Sequence, residues 1–359
     1  MHNLAGILTV SFWYPMAALL SPRLVRLALA LALLATLVGA AVRSHQSATP
    51  VQAAQTWEVQ VGYDDMQSLI STQAYFPNPL TVNAGDTVVW RFAGFHTVTF
   101  YGNETPLPLI GPGPNSGELA LGPAFFPMGP QGSNATYDGT GRASSGTPPE
   151  GGPQDQPFTY SLTFTKPGLY GYMCTLHPGM RGEVLVQPAG APLPETPAQA
   201  KARGQATIGA LVGMMQSALE RARAVSLGTT HLAYAGLGDA FGVSTLRFVP
   251  GDVTVRRGET VIWGFADPFE IHTVTFTSGQ PDPAFIDVRP QPQGPPILAI
   301  PANVAGPVGG TTYTGQGYVT SGILAYGGSY ALAFDAPPGK YEYLCTVHPF
   351  MRGTVTVTE

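Results

Sequence analysis

From residue 56 onward the chain alternates apolar and polar positions in short runs, each bounded by Gly, Pro, Asn or Asp. TWEVQVGY has a period of two, the pattern of a strand with one face in a core. FPNPLTVNAGDTVVWRF then reads as a strand, an AGD turn and a second strand ending near Trp90. The pattern returns further on. In VPGDVTVRRGETVIWGF, Val253-Thr254-Val255, Gly258-Glu259 and Trp263 match Leu80-Thr81-Val82, Gly85-Asp86 and Trp90 at a constant offset of 173. Each copy reaches a His-Thr-Val-Thr-Phe segment and ends in paired strands: TYSLTF with GLYGYMC in the first, SYALAF with KYEYLC in the second. RGEVLV and RGTVTV close the two copies. The alternation predicts an all-β protein made of two sandwiches, residues 56–187 and 229–359.

Two stretches break the period. In the linker, residues 188–228, Ile208, Leu211, Val212, Met215, Leu219 and Ala222 recur at intervals of three and four. That spacing makes one apolar helical stripe. Thr196-Pro197 supplies an N-cap and a first-turn proline, and Gly228 a stop, so a helix over 197–225 is expected, about 43 Å long at 1.5 Å per residue. Gly204, Gly209 and Gly213 would weaken it in isolation, so it should pack on one or both sandwiches. The second break precedes the strands. Arg23 and Arg26 introduce LALALALLATLVGAAV, 16 uncharged residues ending before Arg43. Residues 1–41 read as a secretory signal cleaved after Ala40 or Ala41, with an uncleaved membrane anchor as the alternative; the run is short for a span. Either reading places the folded chain outside the cytoplasm, in a periplasm or on the outer face of the membrane.

Composition narrows the function classes. Gly and Pro (44 and 35 residues) favour short strands and many turns over a helical fold. Charged residues are 11% and the net charge is −5, so no basic face invites nucleic acid. Residues 101–158 and 277–328 are long, Gly- and Pro-rich inserts, yet TYDGTGRASSG in the first recurs as TYTGQGYVTSG in the second. Their Gly-x-Gly is not followed by Lys-Ser/Thr, which makes them turns rather than phosphate loops. Inserts of this length are expected to fold over the sandwich as a lid or as a contact between the copies.

The chemistry lies in a spacing that occurs twice. Cys174, His177 and Met180 form a Cys-x2-His-x2-Met set, and Cys345, His348 and Met351 form another. Thiolate, imidazole and thioether together select copper over hard cations. A second imidazole is available to each from His96 and His272. The only two cysteines of the chain are thereby accounted for as metal thiolates rather than as a disulfide.

CTLHPGMRG and CTVHPFMRG resemble the ligand loop of the cupredoxins, closest to the short-loop amicyanin and pseudoazurin branch, and PGLYGYMC and PPGKYEYLC are similar to that family's lead-in strands. The resemblance covers about residues 56–187 and 229–358. It implies Greek-key cupredoxin β-sandwiches, here two joined by a helical linker, with a mononuclear blue copper in each and one-electron transfer. In the implied roles, His96 and His272 are buried equatorial ligands, Cys174 and Cys345 the thiolates, and Met180 and Met351 the axial ligands. His177 and His348 would present a ring edge to solvent, where redox partner proteins dock. Two departures bear on loop rigidity and on hydrogen bonding around the thiolate. Leu176 and Val347 stand where the family has Pro, and Thr97 and Thr273 where it has Asn.

Tandem cupredoxins also occur in copper nitrite reductases and multicopper oxidases, which need further histidines. Of the seven here, four serve the two sites, His2 leaves with a cleaved signal and His45 lies in a polar tail, so His231 alone remains. Electron transfer is therefore the expected function, ahead of copper handling or storage and of catalysis.

Overall fold

The computed structural model describes residues 53–148, 158–177, 179–222 and 225–359, which belong to one compact unit. The predicted signal or anchor lies outside the described residues. Among the described residues no helix is long and apolar enough to cross a membrane.

The alternating runs are strands. Along Thr56–Asp65, Trp57, Val59 and Val61 are fully buried while Thr56, Glu58 and Gln60 between them are exposed or partly so. This strand runs parallel to Thr87–Phe92 and antiparallel to Ile70–Phe76. Each copy places five strands in a sheet of its own. In the first these are Leu80–Asn83, Arg181–Gln187, Gly168–Met173, Thr99–Phe100 and Ala143–Ser144; in the second, Asp252–Arg256, Arg352–Thr358, Gly339–Leu344, Thr275–Phe276 and Val319–Thr320. The opposing layers of the two sandwiches merge into one 11-stranded sheet. Each sandwich closes over an aromatic core, around Trp90, Phe100, Phe164 and Tyr172 in the first and Trp263, Phe276, Phe334 and Tyr343 in the second.

The merger occurs where Val243–Val249 pairs antiparallel with Ile70–Phe76, in the register Val243↔Thr72, Ser244↔Ser71, Thr245↔Ile70. Ser71 and Ser244 hold the same place in the two copies, 173 residues apart. The pairing is thus self-complementary, with a local two-fold axis between the two serines, like the isologous interface of a symmetric dimer.

The helix spans Pro197–Arg221, with Val225 beyond it already in the strand Val225–Leu227, so it is shorter than the predicted 197–225. Thr196 caps it, its hydroxyl accepting from the Gln199 N–H while the Gln199 side chain accepts from the Thr196 N–H. Met215 packs with Ile70 and Val243, one from each side of the strand junction, and Leu211, Val212 and Leu219 surround them. The apolar stripe covers the seam between the copies. Gly204 has a steric reason, because a Cβ there would stand 2.9 Å from the Phe76 carbonyl carbon, whereas Gly209 and Gly213 face open space.

The inserts meet each other. Asp287–Arg289, Ile297–Ile300, Leu119–Leu121 and Ile110–Pro112 form a four-stranded sheet in which Ala299 pairs with Ala120 across the copies. Arg289 grips Glu118 with two hydrogen bonds, 2.9 and 2.7 Å. The recurrent Gly-x-Gly segments are turns, with Gly139, Gly141, Gly315 and Gly317 all at positive φ.

Two outcomes test this account. Gly204→Ala should destabilise the protein by about 1–3 kcal/mol through overpacking. Gly209→Ala should stabilise it by about 0.5–1 kcal/mol through helix propensity. Urea titration of both variants checks the opposite signs. The hydrogen bonds from Arg289, with help from Asn115, lower the Glu118 carboxyl to about 2. Its contribution to stability is therefore complete above the unfolded carboxylate pKa of roughly 4.3 and is lost as pH falls through the folded value. Glu118→Gln should remove that part of the acid dependence in melting curves taken across this range.

Candidate metal centres

Each site sits at one end of its sandwich, where two segments are brought side by side by strand pairing. Met173 pairs with Thr99, which sets Cys174 beside the chain leading from His96, and Leu344 pairs with Thr275 to do the same for Cys345 and His272. The ligand loops close on their own backbones. Cys174 N–H donates to the Met180 carbonyl at 3.0 Å, and Met180 N–H to the His177 carbonyl at 2.8 Å. Cys345, Met351 and His348 repeat both bonds at 3.0 and 2.8 Å.

Six of the eight predicted ligands gather as two His-Cys-His sets. In the first, His96 Nδ1 lies 3.1 Å from His177 Nδ1, and Cys174 Sγ lies 3.5 Å from His177 Nδ1. In the second, Cys345 Sγ lies 3.9 Å from His272 Nδ1 and 3.7 Å from His348 Nδ1. Each His-Cys-His group offers donor atoms within 4.8 Å of one another, enough to hold a copper ion. Met180 and Met351 are buried in the adjoining cores. Burial opposes ionisation of Cys174, but the imidazoles of His177 and His96 overcome it and hold the thiol well below its ordinary range. Burial acts likewise on Cys345, and His272 and His348 pull that thiol down in the same way. The donor set, two imidazoles and a thiol primed to ionise, fits a borderline-soft ion.

The threonines that depart from the family pattern have a visible task. Thr97 N–H donates to Cys174 Sγ at 3.3 Å, and its hydroxyl accepts the Thr175 N–H at 2.8 Å. Thr273 does the same for Cys345 and Thr346, at 3.3 and 2.8 Å. One residue thus supports the sulfur and ties the two ligand-bearing segments together. Behind the upstream histidines stand glycines at positive φ. A Cβ at Gly62 or Gly236 would lie 2.2 Å from the Nε2 of His96 or His272.

The expectation that His177 and His348 present their ring edges to solvent is not met. The side chain of His177 is only 11% exposed and that of His348 14%. Because the copies face each other across the strand junction, both Nε2 atoms turn to Glu270, whose two oxygens lie 3.2 Å from His177 and 3.6 Å from His348. Gln73 donates to the same carboxylate at 2.7 Å. Asp64 and Asp267 lie beside the upstream histidines, Asp267 Oδ2 being 3.9 Å from His272 Nε2. None of these four residues figures among the sequence-predicted site residues. One signal was available for Glu270: from Trp90 to His96 is six positions, but from Trp263 to His272 is nine, and the added residues carry acids.

Fold and sites together define a cupredoxin-like copper-binding protein. Residues 240–358 match the family of copper binding proteins of the plastocyanin/azurin type. Amicyanin from Paracoccus versutus is 28% identical over 116 residues, 32% of this chain, which spans about three fifths (61%) of that relative. Amicyanin-alpha from Methylorubrum extorquens is 25% identical over 160 residues, covering 45% of this chain and 98% of the relative. Among solved structures, a methionine-to-glutamine variant of amicyanin with Cu(I) shares 19% identity, covering 39% of this chain and 89% of its own, at a TM-score of 0.22.

Gly236→Ala should drive a methyl group into the His272 ring and empty the second ligand set while sparing the first. Metal analysis of the copper-loaded variant should give about half the copper of the parent protein.

Proposed function

We propose that this chain is an exported two-domain blue copper protein, with domains at 56–187 and 229–359, that carries single electrons between redox partners. The first site would use His96, Cys174, His177 and Met180, and the second His272, Cys345, His348 and Met351. The observation that carries this reading is that each site gathers two imidazoles and a thiol from the protein, with their donor atoms within 4.8 Å of one another. Copper, when bound, supplies a one-electron couple. The residues supply a fixed frame: the loop hydrogen bonds and the Thr97 and Thr273 contacts hold the donors in one arrangement, so little rearrangement accompanies a change of charge. Thr97 and Thr273 N–H groups would stabilise the thiolates, and Met180 and Met351 would offer each ion a weaker thioether donor.

Against a catalytic reading stands the supply of histidine. His231 has both ring nitrogens engaged within its own chain, Nε2 2.8 Å from Glu259 and Nδ1 3.0 Å from Ser226. Export is supported by the charged and apolar pattern of residues 23–43. A partner would approach the second site through Phe350, which is 41% exposed with its ring centre 6.0 Å from that of His348.

The copper-loaded chain should contain two coppers and absorb intensely in the red through thiolate-to-copper charge transfer. Cys174→Ser should remove one copper and one chromophore and leave the other intact. A copper count of one together with a silent Cys174→Ser would show that the first site is not used.

A further inference from the structure

The two candidate metal centres share one carboxylate. Glu270 belongs to the second copy, yet its closest partners, His177 and Gln73, belong to the first. Its position is built rather than incidental. Asp267 Oδ1 accepts the N–H groups of Phe269 and Glu270 at 3.0 and 3.1 Å, which folds the extension before His272 into a turn. The Ser244 hydroxyl lies 2.9 Å from the same oxygen and 3.0 Å from Gln73 Oε1. Phe269 in that turn sits over Gly179, where a Cβ would come within 2.5 Å of its ring, so only a glycine in the first ligand loop admits the extension.

His177 and His348 both turn Nδ1 toward their cysteine, which leaves Nε2–H to be donated outward. In both cases the group it faces is Glu270. We propose that Glu270 is a positioning residue shared by the two sites, fixing the tautomer and orientation of both loop imidazoles and coupling their reduction potentials. This rests on the reading of both sites as one-electron copper centres. A carboxylate that accepts from a ligand imidazole makes the imidazole a stronger donor and favours the more positive metal. One carboxylate cannot serve two imidazoles fully at once. When the His177 site gives up an electron to an external oxidant, His177 N–H becomes the stronger donor and draws Glu270, and its hold on His348 weakens. The second electron therefore leaves less readily than the first. No proton moves and no covalent bond changes.

The test is a spectroelectrochemical titration of the copper-loaded full chain, with Cys174→Ser as the single-site reference. Glu270→Gln keeps the shape of the side chain and removes its charge. It should favour reduction at both sites, roughly 10-fold in the equilibrium constant at the His177 site and less at the more distant His348 site, and should bring the two steps closer together. Gln73→Leu removes a competing donor and should shift the His177 site the opposite way. Leu246 holds the equivalent place in the second copy, so leucine is a native choice there. A residue with a purely structural role would change the melting temperature of the metal-free variants but not these equilibria. Two bound coppers with equilibria unmoved by either substitution would overturn the coupling and leave the electron-carrier reading standing. Absence of a thiolate–copper band in the parent chain would overturn both. If Glu270→Gln does not fold, the sign of the Gln73→Leu shift decides.

Discussion

The antiparallel pairing of Ile70–Phe76 with Val243–Val249 is the contact on which the rest of the architecture depends. Each sandwich has at this edge a row of unpaired backbone groups that water or another strand must satisfy. Here each satisfies the other, and because the pairing is centred on equivalent serines, the two copies turn corresponding ends toward one another. Gln73, Ser71 and Ser244 are almost fully buried by it. Buried polar side chains need partners, and these find Glu270, Asp64 and Asp267, the carboxylates that stand behind the histidines of the candidate metal centres. The surroundings of the two sites are therefore a consequence of how the copies join.

Much of this was legible in the chain. Period-two alternation located the sandwiches, the repeat offset aligned them, and ligand chemistry picked out both donor sets, because each of these depends on residues close in sequence or duplicated within it. The join was harder to read. ISTQAYF and VSTLRFV lack strict alternation since both are buried on nearly every position, beneath the helix on one face and between the polar networks on the other. Such strands give no periodic signal. Exposure of the loop histidines was misjudged for a related reason. Apolar neighbours such as Leu176 and Val347 describe the loop, whereas Glu270, which faces both rings, lies far off in sequence and, for His177, in the other copy, about 90 residues further on. The helix stripe was correctly read as needing a partner surface, but only the fold shows that this surface is the seam.

The duplication is symmetric in its ligands and asymmetric around them. Asp64 reaches its histidine from a strand, while the equivalent residue in the second copy is Gly238, where a Cβ would stand 2.6 Å from Asp267 Oδ1. Asp267 takes over that place from the extension. Gly179 makes room for Phe269, while its counterpart Phe350 carries an exposed ring beside His348. Gln73 reaches the shared carboxylate, while its counterpart Leu246 cannot donate to one. A perfectly symmetric pair would bring two such glutamates, one from each copy, to the same small space between the imidazoles. Two like charges at that distance, away from water, would repel strongly and one would have to take up a proton. Lengthening one copy by three residues and trimming the facing loop to glycine leaves a single carboxylate between the two imidazoles, so that one negative charge rather than two faces both ring N–H groups.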